Sequence, residues 1–379
     1  MTLRNYYIII IVALSLAFTS CVDPYATPES NQNIDILVVD GFLDIDNGTV
    51  NVTLSKAINL SSPDAPPAVV AATVHLEDSD NNILPLGTTT TVGLFRIDGL
   101  TIDQGKQYRI RIKTADKEYL SDFITPTPSP EIDSVTWRAS DDGVTVHVNT
   151  HDNSGKSRYY QWTFDETYEY TAPLLSPFII VDTTVVPRPV DEQVFTCWRT
   201  LGSTNIAIGS SFRLEDDIIQ QKAVHFIPKG DVKLSKKYSI LVRQTVLSRE
   251  AYDFWLNLQQ TTEQLGGLFD PQPGKVVGNI HSINGDKEPV LGYFGGGQIK
   301  EKRLFIKHSD LPENLRVPRF SPCEQDTVMK KDLPLLDRSY YITSELREGP
   351  VVLGYTYTTR SCADCRVDRG IITKPTFWE

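Results

Sequence analysis

The segment Tyr108–Lys113, which reads YRIRIK, is the stretch that decides the fold. Consecutive side chains of a β-strand point to opposite faces. The tyrosine and the two isoleucines therefore share one face, and Arg109, Arg111 and Lys113 share the other. An apolar face backed by a charged face is typical of an antiparallel sheet that covers a core on one side only. We predict a half-buried strand here.

Five further short segments around this strand have the same character, and Asp, Asn and Gly turns separate them. They are Ile36–Leu43, Val50–Leu54, Ala72–Leu76, Leu94–Ile97 and Tyr119–Phe123. Six short strands within residues 35–125 predict an immunoglobulin-like β-sandwich as the N-terminal domain. The sequence TPTPSP at 125–130 is too rich in proline to continue a strand, so we predict a linker at residues 126–131.

Residues 132–379 form a second β-rich region. Valines alternate with polar residues from Val144 to Val148, and Tyr159–Tyr170 places five aromatic side chains on one strand face that only Glu166 interrupts. Further strand candidates are Ile206–Gly209, Tyr238–Leu247, Val290–Phe294 and Arg303–Lys307. We therefore predict a mainly β protein made of two immunoglobulin/fibronectin-like β-sandwich domains.

One segment of this second region has helical rather than strand periodicity. Within residues 248–265, apolar side chains recur at helical spacing, Ser248 can act as N-cap and Gly266-Gly267 follow the end. The apolar positions are Ala251, Phe254, Trp255, Leu258 and Leu265. We predict one amphipathic helix that packs on the second sandwich.

The N-terminus carries the pattern of an export signal. Arg4 precedes an apolar run from Tyr6 to Phe18 that is too short to span a bilayer with proper flanks, and small residues then lead to Cys21. A cysteine at the cleavage site predicts a bacterial lipoprotein, with residues 1–20 removed, Cys21 lipid-modified and residues 21–34 serving as a tether. An ordinary signal peptide and a short membrane anchor are the alternatives.

Four cysteines remain after Cys21: Cys197, Cys323, Cys362 and Cys365. An even number in an exported chain predicts disulfide bonds, and the sequence leaves the three pairings open. A zinc site and a redox CxxC motif at 362–365 are the alternatives. We therefore predict that the second sandwich carries, besides the helix, a disulfide-rich C-terminal segment.

The net charge of −11 becomes −12 when Arg4 is removed with the leader, which argues against nucleic acid as a partner. No run of eighteen apolar residues follows Cys21. Signatures of common catalytic sites are missing, including GxSxG, phosphate-binding glycine loops and HExxH. We expect no catalytic residues and no cofactor.

Three weaker patterns have both a functional and a structural interpretation. The turns Asp44–Gly48 and Asp78–Asn82 offer oxygens to calcium, but their residue types also suit hairpin turns. His147 and His151, with Asp152, are a weak metal candidate. Gly295–Gly297 is predicted to be a hairpin tip rather than a phosphate loop.

The aromatic strand Tyr159–Tyr170 also has two interpretations. It is a sugar-stacking platform with Asp165 and Glu169 as a carboxylate pair, or it is a core face. Exposure of Trp162 and Tyr168 would favour the platform, and burial of both would remove the main reason for it.

The chain resembles a family of Bacteroidota outer-membrane lipoproteins, domain-of-unknown-function family 4249, over nearly its whole length. A small departure is Val367-Asp368, where a second glycine is expected beside Gly370. The segments that carry the resemblance are Ser20–Tyr25, Val38–Gly41, Tyr238–Gln244, Leu247-Ser248, Ala251-Tyr252, Trp255, Phe269–Pro273, Gly278–Ile280, Glu288–Tyr293, Cys362–Arg366, Gly370, Thr373–Pro375 and Phe377-Trp378.

The resemblance implies a lipid-anchored protein of the outer membrane, facing the cell exterior, with a β-rich two-domain body and no assigned reaction. Family members are often encoded beside TonB-dependent transporters, which implies such a β-barrel as the partner. The leading hypothesis is a non-catalytic accessory protein of a transporter or another outer-membrane assembly. A glycan- or ligand-binding module is the alternative, and a hydrolase is the third hypothesis.

Overall fold

The computed structural model describes residues 36–58, 65–89, 92–263, 276–283, 289–316 and 323–378. The predicted leader, the tether and Cys21 lie outside the described residues, as do the last two residues of the predicted helix and the glycines after it. The described part of the chain is mainly β.

The N-terminal part contains seven strands: β1 (Leu37–Asp44), β2 (Thr49–Lys56), β3 (Thr73–Asp78), β4 (Ile83–Thr89), β5 (Leu94–Ile97), β6 (Tyr108–Lys113) and β7 (Glu118–Ser121). The strand predicted at Tyr108–Lys113 has the bounds of β6, and its tyrosine and isoleucines are buried. The sequence pattern missed β4, because Pro85 and Gly87 lie inside it.

The remaining strands are β8 (Ile132–Ala139), β9 (Gly143–His151), β10 (Tyr159–Thr171), β11 (Phe178–Val181), β12 (Thr184–Pro187), β13 (Thr196–Gly202), β14 (Ala207–Ser210), β15 (Ile218–Pro228), β16 (Lys237–Val246), β17 (Ile280–Ser282), β18 (Val290–Gly297), β19 (Lys300–Lys307), β20 (Asp326–Met329), β21 (Tyr341–Glu348) and β22 (Val351–Thr358). The α-helices of the described residues are α1 (Arg249–Glu263) and the single turn α2 (Arg360–Ala363). Short 3-10 helices lie at Val190–Glu192, Val232–Leu234, His308–Asp310, Glu313–Leu315, Lys330–Leu335 and Cys365–Asp368.

A nine-stranded sheet with the order β17-β7-β6-β3-β4-β5-β2-β1-β18 encloses the N-terminal core. We call this sheet and its core the N-terminal body. Its two edge strands come from residues 280–297, so it is completed by chain that follows the predicted linker by more than a hundred residues. The two edges meet at buried Asn279, whose side chain accepts from the Phe294 N–H and donates to the Phe294 carbonyl, both at 2.9 Å.

The pairing of β18 with β1 is parallel and overturns the prediction of a hairpin tip at Gly295–Gly297. The three glycines are the end of β18, and at Gly296 and Gly297 residues 124–127 pass so close that a side chain has no room. A Cβ on Gly296 would lie 2.6 Å from the Ile124 side chain, and one on Gly297 would lie 2.5 Å from the Thr127 carbonyl oxygen.

A second core lies between two other sheets, which together we call the central body. One sheet has the order β13-β10-β16-β19 with β14 beside β10, and the other has the order β15-β9-β8. Valines of β8 and β9 pack with the aromatic face of β10 in a single apolar cluster. The alternating patterns at Val144–Val148 and Tyr159–Tyr170 therefore do mark buried strand faces.

A small C-terminal sheet with the order β12-β11-β21-β22-β20 has its own minor core. Two disulfide bonds tie it to the central body and to itself: Cys197 bonds Cys365 across 168 residues, and Cys323 bonds Cys362 across 39. By chain entropy, bridges closing loops this long stabilise the fold by about 4–5 kcal/mol each. Since Cys362 and Cys365 bond different partners, the CxxC spacing forms no redox pair.

Helix α1 lies where predicted and buries Ala251 and Phe254. The Ser248 hydroxyl accepts from the Ala251 N–H at 3.1 Å, which caps the first turn as the sequence indicates. The helix contacts β10 and β14 of the central body, and it also contacts β18 of the N-terminal body. It thus lies over the junction between the two bodies.

Candidate functional site

A cavity with a volume of about 680 Å³ lies at this junction. The outer face of β1, β2 and β18 forms one side, and β10 and β16 form the other. The first turns of α1 and residues 122–127, which lead out of the N-terminal body, complete the lining. Small-molecule sites in proteins have volumes of roughly 300–1,000 Å³ and favour such interfaces between bodies.

The cavity lining includes four aromatic side chains: Phe42, Phe123, Trp255 and Tyr293. Each is only partly buried and so remains accessible from the cavity. The Tyr293 ring packs against the Phe254 ring, with ring centroids 5.3 Å apart. Helix α1 and strand β18 therefore fix part of the wall in place.

Asp40 is the distinctive polar group of the cavity. In β1 the buried positions 37, 39, 41 and 43 face the core, so Asp40 and Phe42 fall on the outer face, toward the cavity. The Asp40 carboxylate is accessible from the cavity, yet it has no hydrogen-bond or ion-pair partner in the described part of the chain. Asp40 is exposed at the cavity surface, yet partial desolvation by the nearby protein raises the pKa of its carboxyl above the usual range.

The other charged groups of the lining differ from Asp40 in their partners. Arg243 is neutralised, because it donates to Asp165 at 2.6 Å and to Glu301 at 2.7 Å. Asp122 lies 3.4 Å from His281, and Glu250 is exposed in the first turn of α1. Three carboxylates thus line a cavity whose one arginine is already paired.

A second polar cluster lies inside the central body, around Glu166. Its side chain is 4% exposed and accepts from Lys233 Nζ at 2.6 Å, from the Tyr238 hydroxyl at 3.0 Å and interacts with His225 Nε2 at 3.1 Å. Burial alone would raise the pKa of Glu166, but the hydrogen bonds from His225 and Lys233 outweigh it and hold the pKa below its usual range. The protein itself thus supplies the partners of this carboxylate.

Of the two interpretations of the aromatic strand β10, the structure supports the core face. Trp162 is 1% exposed and Tyr168 4% exposed, which removes the main reason for a sugar-stacking site on this strand. The Trp162 indole N–H donates to Gln244 at 2.9 Å within the core. Buried aromatic rings with satisfied polar groups act in packing rather than recognition.

The proposed carboxylate pair on the same strand is also separated. Asp165 accepts from Arg243, whereas Glu169 accepts from the Trp378 indole N–H at 3.0 Å. Four residues along a strand correspond to about 13 Å, farther than the roughly 5–9.5 Å between the carboxyls of glycosidases. The two side chains act in separate contacts.

The acidic turns are held by their own side chains. Asp44 accepts from the Asp46 N–H at 3.0 Å and from the Asn47 amide at 2.7 Å, so it closes the turn between β1 and β2. Asp78 accepts from Asn82 at 2.7 Å and pairs with Lys106. These carboxylates thus have a structural use as turn residues, the interpretation that their residue types favour.

The histidine candidates are likewise apart. Both His147 and His151 lie on β9, four residues apart, and His151 pairs with Asp133 at 2.8 Å. Asp152 accepts from Ser154 and Ser157 in the following turn. Within the described ranges, no three His, Cys, Asp or Glu side chains come together as metal ligands.

Sequence reasoning missed both Asp40 and the cavity around it. Asp40 stood in a motif, Val38–Gly41, that carried the family resemblance but had no assigned role. The available signal was an acidic residue inside an otherwise apolar strand. The cavity itself has no local signal, because its walls come from residues 40–51, 122–127, 161–163, 243–255 and 279–299.

The chain belongs to the family described as "Domain of unknown function (DUF4249)", whose model matches residues 22–303. No curated protein matches it. Among solved structures, the two fibronectin type-III domain segment from chicken tenascin is similar at 10% identity, over 55% of this chain and 90% of that chain. The TM-score is 0.17, which supports no conclusion about the arrangement of the two bodies. Neither helix of the described residues has the length and apolar character that a bilayer crossing requires.

Proposed function

We propose that the protein is a lipid-anchored, non-catalytic accessory protein of the outer membrane that binds a ligand between its two bodies. In this proposal both bodies are immunoglobulin/fibronectin-like β-sandwiches. The protein works at the cell exterior, beside a TonB-dependent transporter or another outer-membrane assembly. Its ligand occupies the cavity at the junction.

The observation that carries the binding role is the cavity itself. It combines partly exposed aromatic walls with a carboxylate, Asp40, that the fold leaves without a partner. The fold buries Glu166 and supplies its partners, whereas it leaves Asp40 exposed to the cavity without one. An unpaired acid in a ligand-sized cavity therefore supports a partner that comes from outside the chain.

Support for the anchor and the location comes from the sequence alone. The leader at 1–20 ends in the small residues before Cys21, and the family resemblance adds the outer membrane and the neighbouring transporters. The two bodies and the C-terminal sheet, with the two disulfides, suit a protein folded outside the cytoplasm.

The test uses the native protein extracted from cells in several mild detergents and captured by affinity. We expect an acylated Cys21 by mass spectrometry and co-purification of an identified transporter-type β-barrel. The matched Cys21→Ser variant should appear in the soluble fraction and lose the β-barrel. Recovery of the acylated wild-type protein alone in every detergent would contradict the proposed partner.

A second candidate, a hydrolase, is favoured by one specific observation. Asp40 shares the cavity with Asp122 and Glu250, and two carboxyls facing one bond are what acid-assisted hydrolysis uses. Assays with aryl glycosides and aryl esters test it. Turnover by the wild-type protein that disappears in Asp40→Asn would establish catalysis and overturn the binding-only proposal.

A further inference from the structure

Building on the proposed function, we propose that the cavity binds an organic cation, an ammonium or guanidinium group carried on an apolar body, with Asp40 as its counter-ion. The chemistry is the same whether the cation is a free amine or a basic side chain of a peptide.

The charges of the lining set the sign of the ligand. The lining contains three carboxylates, Asp40, Asp122 and Glu250, and one arginine. Arg243 already donates to Asp165 and Glu301, so these two carboxylates neutralise its charge. A cavity with this balance repels anions and concentrates cations.

Asp40 sets the position of the charge. Its neighbours across the sheet are Thr53 on β2 and Tyr293 on β18, and neither supplies a positive group. Asp40 is exposed, but it lies in a cavity whose low-dielectric walls focus its field, so its attraction for a cation is screened less than on an open surface. An incoming ammonium would pair with Asp40 in the way that the Lys233 ammonium pairs with Glu166.

The aromatic walls favour the same class of ligand. Ring faces attract cations, and the ring of Phe123, a lining residue, already has the Arg109 guanidinium 4.5 Å from its centroid. Trp255 and Tyr293 remain accessible from the cavity for the body of the ligand. The volume of about 680 Å³ admits an amine with an aromatic body or a short peptide.

Three probes that share one ring separate the charge from the apolar body: 2-phenylethylamine, 2-phenylethanol and phenylacetate. Calorimetric titration into the mature lipoprotein in nanodiscs should give at least about tenfold tighter binding of the amine than of the alcohol. Phenylacetate should bind more weakly than the alcohol. A blocked Phe-Lys-Phe peptide forms the fourth arm, and tighter binding than the amine assigns the cation to a peptide side chain.

Asp40→Asn keeps the shape of the side chain and removes its charge. We expect amine affinity to fall about tenfold or more in this variant while alcohol affinity changes less than about twofold. Asp191→Asn is the matched control, because Asp191 is exposed on a short 3-10 helix and does not line the cavity. As the pH falls and Asp40 is protonated, the amine should bind more weakly to wild type and unchanged to Asp40→Asn.

A blocking variant keeps the two proposals distinguishable. Gly295 lines the cavity with a Cβ position 3.6 Å from Phe42, so Gly295→Leu places a side chain in the ligand space. Gly87→Leu, on exposed strand β4, is its control. If Gly295→Leu binds none of the probes and Gly87→Leu binds them all like wild type, the binding site is the cavity.

The cation inference is overturned if the alcohol or phenylacetate binds as tightly as the amine, if Asp40→Asn binds the amine like wild type, or if no probe binds. In the first two cases a Gly295→Leu block still supports a ligand cavity, so the proposed function survives. Absence of a β-barrel partner, by contrast, affects the proposed function and leaves the probe results intact.

Discussion

Asp40 and Glu166 are two carboxylates on neighbouring bodies of one molecule, and they have opposite surroundings. Glu166 lies in the central core with a lysine, a tyrosine and a histidine within 3.1 Å, and the pKa of its carboxyl is lowered. Asp40 lies in the junction cavity without a partner, and the pKa of its carboxyl is raised. Glu166 is a buried charge whose partners come from the protein, so it is part of the fold. Asp40 is a charge in the cavity without a partner from the protein, so it is available to a ligand.

The largest expected effect comes from removing the paired carboxylate. Glu166→Ala leaves the Lys233 ammonium and its neighbours without their anion inside the core, which should lower the free energy of unfolding by about 3–5 kcal/mol. Urea denaturation measures it, and Glu348→Ala at the exposed end of β21 is the control, expected within about 0.5 kcal/mol. If Glu166→Ala lowers the free energy of unfolding by less than about 1 kcal/mol, Glu166 does not differ from Asp40 in its importance for stability.

The next effect tests one contact of the same cluster. Tyr238→Phe removes the hydroxyl that donates to Glu166 at 3.0 Å and should cost about 1–3 kcal/mol of unfolding free energy. Tyr340→Phe, on a ring that is 37% exposed, is the matched control. If both variants are equally stable, the hydroxyl contributes nothing and Lys233 and His225 satisfy Glu166 by themselves.

A smaller effect concerns Asp152, a paired carboxylate near the surface. Burial acts to raise its pKa, but hydrogen bonds from Ser157 and Ser154 outweigh this and lower the pKa to about 2. Because the folded pKa lies below the unfolded value, the stabilisation is present above about pH 4 and is lost as the pH falls toward 2. Asp152→Asn should therefore cost about 1–2 kcal/mol at pH 7 and little at pH 2, measured by denaturation at both pH values.

Should the stability difference between Asp152→Asn and wild type be the same at pH 7 and pH 2, the turn would owe nothing to the charge of Asp152. Asp191→Asn, which alters a carboxylate outside any turn contact in the described residues, should show no pH-dependent difference.

The smallest effect has the opposite sign. Asp40→Asn should raise the free energy of unfolding at pH 7, by less than about 1 kcal/mol, because solvent in the cavity screens the charge. The folded pKa of Asp40 lies above the unfolded value, so its ionisation costs stability as the pH rises, and the variant and wild type should converge at low pH. Destabilisation of Asp40→Asn at pH 7 would mean that this carboxylate has a structural partner after all.

The parts of the fold that the sequence predicts well are those with strict local periodicity. Tyr108–Lys113 alternates without exception and has the bounds of β6, and the aromatic alternation of β10 marks a buried face. Helix α1 carries its own cap at Ser248. In each case the pattern and the structure depend on the same neighbouring residues.

The rest depends on residues far apart in the chain. Nothing near Gly295–Gly297 indicates that β18 pairs with β1, since the reason for Gly296 and Gly297 is the close passage of Ile124 and Thr127. The same holds for the candidate site. Asp40 is noticeable only as a charge in an apolar strand, and its lack of a partner becomes visible only when β16 and β18 are placed around it.

The late arrival of β17 and β18 has a consequence for biogenesis. Until residue 297 has been delivered, the first seven strands present β1 as an open edge, a surface on which other chains can add strands. In the exported protein that we propose, the N-terminus emerges first, so this edge stays open while the intervening residues cross the membrane. Such a chain should depend on periplasmic holdase chaperones, and truncations ending at the linker should aggregate rather than yield an isolated N-terminal unit.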